Sequence, residues 1–153
     1  MSDTNDFSDD QFQVLKTLAA MIIPASADLG VPGADDETIF ADILVAAAQC
    51  HDQVIDLLTR LDDLSQNYQG VEFGILSRAG QDEIIPVFRE ACADAAELLE
   101  TLVAQCYYRD DRVLSALNLE LRPPFPQGHE VEQGDWSLLD AVRGRPEMFK
   151  PAP

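Results

Sequence analysis

The sequence predicts an all-α protein: a compact helical bundle over residues 1–120, followed by an extended, irregular, proline-rich arm over residues 121–153. Three observations carry that reading. Apolar residues recur at spacings of three and four through most of the first 120 positions. No run alternates apolar and polar residues in the manner of a half-buried strand. Six of the nine prolines (Pro123, Pro124, Pro126, Pro146, Pro151 and Pro153) fall in the last 33 residues.

The first helix starts at Ser8. Ser8 and Asp9 can cap its free N–H groups, and the acids there oppose the positive end of the helix dipole. Phe12, Leu15, Ala19 and Ile22 form its apolar stripe, and Pro24 ends it. A loop of small and turn-forming residues follows to Asp36, where the second helix begins and runs through Ile39, Ile43 and Leu44 to Cys50. The third helix places Val54, Leu57, Leu58, Leu61 and Leu64 on one face, with Asp52, Asp56, Arg60 and Asp63 opposite. Gly70 and Gly74 interrupt the chain around Phe73. The next helix carries Ile84, Ile85 and Phe88, with Pro86 kinking it or marking its opening turn. Residues 93–108 give the clearest pattern, with Leu98, Leu99, Leu102, Val103 and Cys106 inward and Asp94, Glu97 and Glu100 toward water. A short helix from Asp110 to Leu117 completes the bundle.

A length of 153 residues fits one domain. The formal charge is −18, of which the first 120 residues carry −17 and the arm −1. Such a field repels nucleic acid and anionic membrane. No segment reaches the ~20 consecutive apolar residues that a membrane-spanning helix requires. The start of the sequence is acidic, without a basic region, an apolar stretch or a twin-arginine pair, and the expectation is a cytoplasmic protein. Cys50, Cys92 and Cys106 form no C-x-x-C pair and sit in apolar helical stretches, which suits small buried hydrophobes.

Chemistry-bearing patterns are missing from the sequence, and no catalytic, cofactor-binding or metal-binding residue is assigned. Only His51 and His129 are available, with no H-E-x-x-H or E-x-x-H spacing, no phosphate-binding glycine loop and no G-x-S-x-G elbow. Asp62–Tyr68 faintly resembles a calcium loop. Counted from Asp63, Tyr68 occupies the sixth position, where glycine is needed, and Gly74 the twelfth, where glutamate is needed. The arm, by contrast, is rich in apolar anchors: Phe125, Val131, Trp136, Leu138, Leu139, Val142, Met148 and Phe149. Disordered tails lack such residues. They must lie across something, either the protein's own bundle or a second protein, and the second is the expectation, with Phe125, Trp136, Leu138 and Leu139 at the interface.

Several segments in order add a resemblance. They are Leu18-Ala19-Ala20-Met21-Ile22-Ile23-Pro24, Val31-Pro32-Gly33-Ala34, Leu61-Asp62, Tyr68-Gln69-Gly70-Val71-Glu72-Phe73 and Leu102–Asp110 with its Tyr107-Tyr108 pair. In the arm they continue as Arg122-Pro123-Pro124-Phe125-Pro126-Gln127-Gly128 and Glu132–Asp140. The pattern resembles the gluconate 2-dehydrogenase subunit 3 family, small subunits of flavin-dependent glucose–methanol–choline-type dehydrogenases, over residues 18–140. The resemblance implies a non-catalytic, chaperone-like accessory subunit in a hetero-oligomer with a large flavoprotein that oxidises a sugar or alcohol. FAD would belong to that partner, and a cytochrome is a possible third component. The partner-binding set is then Pro123, Pro124, Phe125, Pro126, Trp136, Leu138, Leu139, Tyr107 and Tyr108. Many members carry a twin-arginine leader, which this sequence does not show. A periplasmic complex would therefore need the leader to have been removed or supplied by a partner.

Two other function classes compete. An acidic interaction protein or nucleic-acid mimic would bind a basic partner through the −17 bundle. Its complex should weaken steeply with salt, whereas an apolar arm should hold. A small enzyme with an unrecognised carboxylate site would turn over sugars or alcohols as the isolated chain.

Overall fold

The computed structural model describes residues 7–121 and 134–145. The chain divides into two units, Met1–Leu121 and Arg122–Pro153. The first contains α1 (Asp9–Ile22), α2 (Glu37–Gln49), α3 (His51–Gln69), a 3-10 turn (Phe73–Ile75), α4 (Arg78–Ala91), α5 (Ala93–Tyr107) and α6 (Asp111–Ala116). No strand occurs among the described residues; one isolated bridge joins Ser26 and Val31. The all-α bundle expected from apolar spacing is the fold observed.

Local chemistry sets the helix boundaries. Ser8 caps α1 in a reciprocal box: its hydroxyl accepts from the Gln11 N–H at 3.3 Å, and the Gln11 side chain accepts from the Ser8 N–H at 2.9 Å. Asp36 caps α2 by accepting from the Thr38 N–H, and Ser77 caps α4 by accepting from the Gly80 N–H. Gly70 ends α3 at φ +78°, a left-handed conformation that glycine adopts without Cβ strain. Pro86 lies well inside α4 rather than in its opening turn, because α4 begins at Arg78. It forgoes one helical bond, to the Asp82 carbonyl. The packing of Ile84 and Phe88, both almost wholly buried, holds the helix through that gap.

α5 is the hub, packing against α1, α2, α3 and α4. Its Leu99 and Val103 meet a core that includes Leu15 and Leu18 of α1, Ile39 and Ile43 of α2, and Leu57 and Leu61 of α3. Leu98, expected in the buried stripe, lines instead the polar groove between α3 and α5 described below, with Ala95 and Ala96 taking the inward positions. The three cysteines are free thiols; Cys92 and Cys106 are buried and Cys50 half-buried. Burial pushes the Cys106 thiol up from its usual pKa.

The turn after α3 is built by side chains of α3 and α4. The Asp62 carboxylate accepts from the Phe73 N–H at 3.0 Å, and the buried Ser65 hydroxyl donates to the Val71 carbonyl at 2.7 Å. The Gln81 amide reaches the Phe73 carbonyl at 3.5 Å. Together these groups fix a short loop that drives the Phe73 ring to full burial between α1 and α3.

The 24–36 loop is held as firmly. The Ala34 N–H donates to the Ile23 carbonyl at 2.9 Å, and a Cβ on Gly33 would stand 2.9 Å from the Ala25 nitrogen. The Tyr107 hydroxyl donates to the Pro32 carbonyl at 2.9 Å, tying the loop to the end of α5. Tyr107→Phe is expected to lower stability by about 0.5–1.5 kcal/mol, the usual worth of one such bond. Urea unfolding measures it, and an unchanged midpoint would contradict the tether.

Arg112 adds a second tether. Its Nη2 donates to Asp36 Oδ1 at 2.6 Å and to Asp110 Oδ2 at 2.9 Å, joining the N-terminal caps of α2 and α6. Hydrogen bonds from Arg112 hold both carboxyls below the usual carboxylate range. The unfolded chain therefore takes up these protons first. The stabilisation is complete above a pH of about 4 and is lost as pH falls through the lower folded-state values. Arg112→Leu is expected to lower stability modestly at neutral pH, since the pair is partly solvated. The gap from the parent should close on acidification; a gap independent of pH would contradict the assignment.

In the second unit a 3-10 turn (Trp136–Leu139) runs into α7 (Asp140–Arg143). This part of the arm is helical where an extended conformation was expected. The reason is a cap: Asp135 Oδ1 accepts from the Ser137 N–H at 3.0 Å and from its hydroxyl at 2.6 Å.

Candidate functional site

Of the residues assigned to partner binding, Pro123, Pro124, Phe125 and Pro126 lie outside the described residues, as does His129. Trp136, Leu138 and Leu139 are 64%, 74% and 40% exposed, and Val142 beside them is 55% exposed. Helical spacing sets these four on one side of the 136–143 segment together with Arg143, which falls between Leu139 and Trp136, and Ser137, Asp140 and Ala141 on the other; all eight residues are exposed. The sequence named Trp136, Leu138 and Leu139 but did not foresee that a helical turn would gather them with Val142.

Tyr107 and Tyr108 part company. Tyr107 is 3% exposed, with its ring in the core and its hydroxyl on Pro32, so it offers no surface to a partner. Adjacent helix positions point about 100° apart, and Tyr108 is accordingly 53% exposed, its ring edge-on to that of Tyr107 at 5.3 Å.

Tyr108 closes one end of a groove of about 420 Å³, walled by Met21 and Ile23 at the end of α1, Ile85 and Phe88 of α4, and Leu99 of α5. Its charged groups, Arg89 and Glu100, pair with each other at 2.9 Å. A second, polar groove lies between α3 and α5. There Arg60 donates twice to Asp94 at 2.9 Å and reaches Asp56 at 3.5 Å, with Asp52 and Glu97 nearby. The Arg60 bonds bring the Asp94 carboxyl down to about 2. This is a cross-helix brace on a solvated face.

His51 opens α3 with its ring against that of Phe7, centroids 5.2 Å apart, and Nδ1 3.5 Å from Asp52 Oδ1. Among the described residues, no three His, Cys, Asp or Glu side chains are placed to hold a metal ion together. No helix among them is long and apolar enough to cross a membrane.

Fold and surfaces thus define an acidic all-α bundle joined in sequence to a nearly neutral unit bearing an exposed apolar cluster. No family model matches the chain, and searches of curated proteins and of solved structures find no match either.

Proposed function

We propose that the chain is a non-catalytic accessory subunit that binds and stabilises a larger flavin-dependent sugar or alcohol dehydrogenase through its 122–153 unit. The observation that carries this reading is the exposure of Trp136, Leu138, Leu139 and Val142 on a segment with no net charge. Large apolar side chains gathered on one face favour a protein surface over water. The flavoprotein identity rests on the sequence resemblance to the dehydrogenase small subunits; FAD, and a cytochrome where present, belong to other chains.

The test is to recover the tagged full-length chain from its native host, identify what it retains by mass, and measure released flavin. A flavin-bearing oxidoreductase retained through high-salt washing is expected. Recovery of the chain alone, or only with flavin-free proteins, would overturn the reading. Loss of all bound protein at high salt would favour an acidic mimic bound through the −17 bundle.

A further inference from the structure

We draw no further inference here: the strongest candidate, the apolar groove between the end of α1, α4 and α5 that Tyr108 closes, carries nothing because its two charged groups, Arg89 and Glu100, pair with each other and nothing in the structure shows what covers it.

Discussion

Phe73→Ala is expected to lower the unfolding free energy of the bundle by about 3–5 kcal/mol, the cost of emptying a buried phenylalanine site. Small domains hold only about 5–15 kcal/mol in total, so this one change removes a large part of the reserve. The reason lies in how the ring is placed. Phe73 is fully buried although it belongs to a three-residue turn, and it is delivered there by Asp62, Ser65 and Gln81 acting on the backbone on either side. Those anchors keep the turn in position after truncation, so the surroundings cannot collapse fully into the space. Urea unfolding followed by circular dichroism gives the value; a loss under 1 kcal/mol would mean that the turn does not plug the core.

Trp136→Ala has the opposite profile. It is expected to weaken binding to the partner by ~2 kcal/mol or more, about thirtyfold in dissociation constant, as loss of a tryptophan anchor does at interfaces. Stability of the free chain should move by less than about 0.5 kcal/mol, because the side chain is mostly exposed. Titration calorimetry and thermal unfolding on the same preparations separate the two effects. Unchanged affinity, or a large drop in stability with affinity intact, would make Trp136 a residue of the chain's own fold rather than of an interface.

Much of the fold is legible in the residues because helix starts are local chemistry. Ser8, Asp36 and Asp110 each sit beside the N–H groups they cap, and the spacing of Val54, Leu57, Leu58 and Leu61 leaves α3 little choice of inward face. Features that depend on distant partners were not legible. Asp62 and the buried Ser65 carry no signal in the helical pattern, and their work appears only when the chain turns back at Gly70 and brings Val71 and Phe73 within reach. Tyr107 and Tyr108 are alike in sequence, but the carbonyl that captures Tyr107 lies at Pro32, 75 residues away. Pro86 reads by local rules as a kink or an opening turn, and of the two it is the opening turn that the helix excludes, because α4 begins eight residues earlier at Arg78.

At the candidate site, composition marked the arm as apolar and nearly neutral and singled out Trp136, Leu138 and Leu139. Their arrangement escaped that reading because prolines on both sides suggested an extended chain. The Asp135-x-Ser137 pair, an acceptor two residues before its donor, was the signal that a turn begins there.

The most direct measurement exploits the single tryptophan of the chain. With fluorotryptophan incorporated at Trp136, fluorine NMR gives one line, whose shift between light and heavy water reports contact with solvent. The line is expected to show that solvent shift in the free chain and to lose it on titration with the flavoprotein. A free chain already lacking the shift would place the indole against its own polypeptide, and a line unmoved in the complex would leave it in solvent; either contradicts the proposed role.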